Sequence, residues 1–227
     1  MKESMEQTKK KRIGLTSYQL KWIAIVTMVI DHVGAVFFPD EWTFRYIGRL
    51  AFPIFCFLLV EGVHYTHDIR LYMLRLGIFA AVSEVPYDLA FHGEMLEFGG
   101  QNVFFTLLLG VMLLYLLERG GEWPVKVLEV MLFMWAAVIL KTDYSFKGIL
   151  LISMFYFLRE YRWVNLAAGA LWNFLWNNPI QEYGALAAIP LALYNGERGR
   201  SMKYFFYLFY PLHLMILFLI VKIAGLR

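Results

Sequence analysis

One cysteine in 227 residues, Cys56, rules out an intrachain disulfide and a thiolate metal cluster, and its expected place is a small core position. Charge is scarce too: 17% of residues are Asp, Glu, Lys or Arg, against roughly a quarter in an ordinary soluble domain. No HExxH or CxxC spacing occurs, so no metal is expected. Glycine-rich phosphate loops are also missing, so a nucleotide-like ligand would have to be held by arginines and lysines. There is no internal repeat, low-complexity stretch or linker, and no nucleic-acid partner is expected.

What is present is apolar. Hydrophobic residues make up 60% of the chain, aromatic ones 18%, and the mean hydropathy is +0.55. Such a balance predicts an all-α, polytopic transmembrane helical bundle, because only helices and closed barrels satisfy their backbone polar groups in a bilayer. Apolar runs fall at about 18–38, 46–64, 70–91, 102–118, 124–140, 144–158, 163–177, 183–195 and 204–222, which makes about nine spans. The sixth and eighth are short. The expected organisation is a basic cytosolic segment over 1–17 and a single transmembrane domain over 18–227. Lys9, Lys10, Lys11, Arg12 and Lys21 share a side with Arg70, Arg119, Lys126, Arg159, Arg162, Arg198, Arg200 and Lys203, so the positive-inside rule puts the N-terminus in the cytosol.

A rise of 1.5 Å per residue converts position into depth. Asp31 and His32, in "TMVIDHVG", then lie about 15 Å beyond Lys21, and His213 about 15 Å beyond Lys203. Arg49, Glu84, Asp88, Gln101 and Asn102 join them in the middle and outer half. Ionisable groups at such depth are costly unless they meet a partner or line a site, so they are expected to converge on the bundle interior. Asp31 is expected to meet Arg49, with His32 facing a cavity. Glu84 and Asp88, one turn apart, form a like-charged pair that calls for a cation or a bound proton. The plain structural readings stand beside these: a buried ion pair for Asp31 with Arg49, and an interhelical hydrogen bond for His32.

The succession "LKWIAIVTMVIDHVG", "IGRLAFPIFCFLLVEG", "YMLRLGIFAAVSEVPYDLAF", "QNVFFTLLLG" and "FYLFYPLHL" resembles, over nearly the whole chain, the TraX family of conjugal-transfer membrane proteins. That resemblance implies N-terminal acetylation of a pilin subunit and kinship with multispan acyltransferases of the bacterial cytoplasmic membrane. These use acyl-CoA and a histidine in the first core helix, for which His32 is the counterpart. The physical reading agrees: acetyl transfer needs a base near neutral pH and a donor for the oxyanion. The expected roles are His32 as base, Asp31, Arg49, Glu84 and Asp88 around it, and Asn102, Gln101 and His213 as substrate contacts. Glu84 or Asp88 would orient His32, and Arg198, Arg200 and Lys203 would hold the phosphates of acetyl-CoA. The acceptor is a pilin-type amine or a surface sugar hydroxyl. A non-catalytic assembly factor and a small-solute transporter are the competing readings.

Overall fold

The structure is a computed structural model and describes residues 13–225; the lysines and arginine expected at the start of the basic segment, through Arg12, lie outside the described residues. Among those described there is no strand, only two isolated bridges, and the rest is helix and turn.

Helix α1, Ser17–Phe37, begins at a capping box in which Thr16 Oγ1 accepts from Gln19 N and the Gln19 side chain accepts from Thr16 N, satisfying two amides that the first turn leaves open. It is followed by α2 (Trp42–Gly48), α3 (Ala51–Tyr65), α4 (Ile69–Phe91), α5 (Val103–Glu118), α6 (Trp123–Ile139), α7 (Ser145–Phe157) and α8 (Arg162–Phe174). A 3-10 helix, Gln181–Ala187, leads into the short α9 (Ala188–Ala192), and α10 (Lys203–Ile223) closes the bundle. Three stretches are long and apolar enough to cross a membrane: Ser17–Phe37, Trp42–Tyr65 and Lys203–Ile223. Helices α5 and α7 are equally apolar but shorter.

Side-chain contacts fix how the elements alternate. One rim joins the start of α1 to the end of α9, through Leu15 N donating to Leu193 O at 2.7 Å, and the start of α8 to the same turn, through Arg162 donating to Ala192 O and Tyr194 O. Arg70 donates to Tyr115 there, setting the start of α4 beside the end of α5. The opposite rim joins the start of α5 to the α6–α7 turn, through Gln101 N to Lys141 O at 2.9 Å and Asp143 N to Gln101 O at 3.0 Å. Lys147 reaches Trp176 O on the same rim. The apolar core runs between α3, α5 and α7, where Phe52, Ile54, Leu113, Leu114, Ile149, Leu151, Ile152 and Phe155 are sealed, with Cys56 among them. Helix α6, by contrast, turns Leu128, Met131, Leu132 and Trp135 outward, as a lipid-facing helix does.

Two expected spans differ from the observed elements. The run 46–64 is not one straight helix: it breaks at Arg49–Leu50 between α2 and α3. Pro53 has no N–H to give the carbonyl four residues back, that of Arg49, so the helix changes direction there. The run 183–195 forms the 3-10 turn and α9 instead of a regular span. Gly184 packs against the Asn173 and Gln181 amides where a Cβ would collide, and Pro190 removes a further amide donor, so a full α-helix does not build up.

Candidate functional site

The break between α2 and α3 does more than bend the chain. It turns both Arg45 and Arg49 toward α1, where Asp31 Oδ2 accepts from Arg45 Nη1 at 2.8 Å and from Arg49 Nη2 at 2.5 Å. Arg45 also reaches the Asp31 carbonyl at 3.3 Å. Asp31 is only 4% exposed, so a single carboxylate answers two guanidinium groups in the interior. Charge-assisted bonds of this kind are short and strong, and removing one member would strand the others. Gly48 makes the approach possible, because a Cβ on it would occupy the space of the Asp31 carboxyl. The pair expected from sequence is therefore present, with Arg45 as a second cation.

His32, the next residue on α1, points elsewhere. Its Nδ1 lies 2.8 Å from Nε2 of His213 on α10, and the two rings lie side by side, parallel to within 5° with centroids 5.0 Å apart. Phe91 and Tyr210 meet the His32 ring edge-on. Asp31, His32, Gly48 and Arg49 line one small cleft together with Phe52, Val103, Asp143, Tyr144 and Tyr210, a cavity of about 40 Å³. Several groups on this cleft have spare hydrogen-bonding capacity, Asp31 Oδ1 among them. Among the described residues nothing bonds His32 Nε2, and Arg49 Nε–H is without a partner. Asp143 and Tyr144, at the turn before α7, were not anticipated as site residues. Their signal was the backbone pairing of that turn with Gln101, which no local pattern announces.

The remaining expected residues are elsewhere. Glu84 and Asp88 neither flank a shared cation nor orient His32. Glu84 accepts from the Asn102 side chain and, at 3.4 Å, from Asn102 N, while Asp88 Oδ2 accepts from Glu97 N at 2.9 Å. Asn102, fully buried, also donates to Ala80 O at 2.9 Å and caps α5 by accepting from Phe104 N at 3.0 Å. Both amide protons are thereby engaged in the α4–α5 joint, which leaves no donor for a substrate. Gln101 acts through its backbone, holding the turn that carries Asp143. His213 has both ring nitrogens occupied, one by His32 and one by Phe209 O at 2.9 Å, so it contacts His32 in place of a substrate. Arg198, Arg200 and Lys203 are exposed on the α1-start rim, about 15 Å along α10 from His213, and do not reach the cleft.

Buried charges and a histidine pair on a small cleft, inside an apolar helical bundle with three stretches long and apolar enough to cross a membrane, define a helical membrane protein with a buried polar site. A model of the TraX protein family matches residues 16–221, and the chain belongs to that family. It is 28% identical over 237 aligned residues to the probable fimbrial assembly protein FimC, serogroup H1, of Dichelobacter nodosus, covering 91% of this chain and 96% of that one. It is 29% identical over 147 residues to protein TraX of Escherichia coli, covering 63% of this chain and 55% of that protein. No solved structure matches.

Proposed function

We propose that the protein is an acyltransferase of the bacterial cytoplasmic membrane, crossing it about nine times with its N-terminus in the cytosol, and that it moves an acetyl group from acetyl-CoA to an exported acceptor. The observation that carries this reading is the pairing, on one cleft, of an imidazole nitrogen and a guanidinium N–H that are both without a partner among the described residues. Acyl transfer requires that pair of functions: a base for the proton of the attacking group and a donor for the oxyanion.

In the reaction the acceptor nitrogen or oxygen attacks the thioester carbonyl while His32 Nε2 takes its proton. Arg49 faces the negative charge that develops on the carbonyl oxygen. Collapse of the tetrahedral intermediate breaks the carbon–sulfur bond, and the departing thiolate recovers the proton from His32. Asp31 and Arg45 hold Arg49 in place. The basic loop Arg198–Lys203 takes the phosphates of the CoA from the cytosolic rim. Similarity to the probable fimbrial assembly protein of Dichelobacter makes a pilus or fimbrial subunit the favoured acceptor, with a surface sugar hydroxyl as the other.

The same similarity favours a second reading, a membrane factor that handles a fimbrial subunit without chemistry. Calorimetric titration of acetyl-CoA into the detergent-solubilised protein, with ATP as a phosphate-only control, separates the two. The acyltransferase reading expects specific binding and slow thioester hydrolysis that His32→Ala abolishes while leaving the fold intact. Folded protein that neither binds nor hydrolyses acetyl-CoA leaves the assembly factor standing.

A further inference from the structure

The contacts of His213 carry an inference beyond its being near His32. His213 Nδ1 lies 2.9 Å from the carbonyl oxygen of Phe209, one turn earlier on α10. A carbonyl oxygen can only accept, so His213 Nδ1 carries a proton. With both rings neutral, that leaves His213 Nε2 as a lone pair. The 2.8 Å contact to His32 Nδ1 is then satisfied in one way: His32 Nδ1 donates and His213 Nε2 accepts. The remaining nitrogen of His32, Nε2, is left unprotonated and, among the described residues, unpartnered.

The ring of His213 is itself held fast. It stacks on Phe209 at 16°, meets Tyr210 edge-on and is 7% exposed, so neither rotation nor water competes for its Nε2. Pro211, between Tyr210 and His213, sits in the same turn. Among the described residues no carboxylate performs this service: Asp31 Oδ2 bonds Arg45 and Arg49, Glu84 bonds Asn102, Asp88 bonds the Glu97 amide, and Asp143, on the same cleft, makes no hydrogen bond to His32, whose Nδ1 meets His213. We propose that His213 is the positioning residue of the site, a neutral imidazole that fixes His32 as the Nδ1–H tautomer and so presents Nε2 as the base at the cleft.

Carboxylates commonly fill this role for catalytic histidines, where a wrong tautomer lowers turnover by orders of magnitude although the geometry is kept. A neutral imidazole differs in one respect. When His32 takes a proton, the Nδ1–H···Nε2 bond becomes charge-assisted and tightens, and the proton has a second nitrogen within reach. The proposal states that the proton stays on His32 and that the acceptor lone pair alone is needed.

The direct test is 15N NMR of histidine-labelled protein in detergent, with His32 assigned by its loss in His32→Ala. The expected spectrum of the unaltered protein shows His32 neutral and protonated on Nδ1. A His32 signal protonated on Nε2 overturns the proposal without any variant at position 213. Substitution then sharpens it, resting on the acyltransfer reading only for its activity readout. His213→Gln keeps an oxygen acceptor for His32 and an N–H for Phe209 O, and is expected to hold acetyl-CoA hydrolysis within about threefold of the unaltered protein. His213→Leu removes the acceptor and is expected to lower hydrolysis about 100-fold or more and to scramble the His32 tautomer, with acetyl-CoA affinity unchanged. Equal losses in Gln and Leu, with His32 still Nδ1-protonated in Gln, overturn positioning in favour of proton relay. If the unaltered protein turns over no acetyl-CoA yet His32 is Nδ1-protonated and loses that state in His213→Leu, the positioning stands and the acyltransferase reading falls.

Discussion

Two groups of buried polar residues sit in this bundle, and they are built on opposite plans. At the α4–α5 joint, Glu84, Asn102 and the Ala80 carbonyl bond to one another, and Asp88 takes the backbone amide of Glu97. Every bond there joins one part of the scaffold to another, and no residue of the group lines the cleft. At the α1–α2–α10 junction, Asp31, Arg45 and Arg49 also bond to one another, but Arg49 and His32 keep unused valences and both line the open space. Depth in an apolar helix thus does not separate a scaffold residue from a chemical one. Unused valence does not separate them either, since Glu84 Oε1 and Asp88 Oδ1 are without partners among the described residues; what does is whether the residues line the cleft.

The contrast can be broken at its strongest point first. Asp31→Ala leaves two guanidinium groups without their shared carboxylate, and is expected to lower stability by about 3–5 kcal/mol, read as a drop in thermal unfolding temperature in detergent. Gly48→Ala tests the same contact from the other side: its methyl group enters the Asp31 carboxyl, with an expected loss of about 1–3 kcal/mol and weakened acetyl-CoA hydrolysis. Asn102→Ala probes the scaffold group. Loss of the α5 cap and the tie to Glu84 is expected to lower stability by about 1–2 kcal/mol while acetyl-CoA affinity stays within twofold. If Asn102→Ala abolished binding in folded protein, the division between the two groups would be wrong.

Much of this arrangement was legible in the sequence. Composition alone dictated a helical membrane protein, and the depth of Asp31, His32, Arg49 and His213 singled out the residues that now meet. What was not legible depended on angles. Asp31 and Arg49 could be paired because their charges are opposite and their depths alike, whereas the His32–His213 contact joins residues far apart in the chain that share no charge complementarity. Arg45, just outside the expected run 46–64, was not singled out; the break at Arg49–Leu50 sets it on the short helix α2, from which it reaches Asp31. Glu84 and Asp88 misled for the converse reason. One-turn spacing reveals that two carboxylates are neighbours but not that the Asn102 side chain and the Glu97 amide, both on the loop between α4 and α5, already bond them.

The solitary thiol has a practical consequence. Cys56 is 0% exposed, packed in the α3–α5–α7 core, so a membrane-impermeant maleimide will pass it by. The unaltered chain is therefore already a silent background for labelling, and a cysteine introduced at exposed Arg200 or at exposed Met95 becomes the reactive handle on its rim. Two such variants in intact cells would report which rim looks outward, and hence from which compartment each reactant must reach His32.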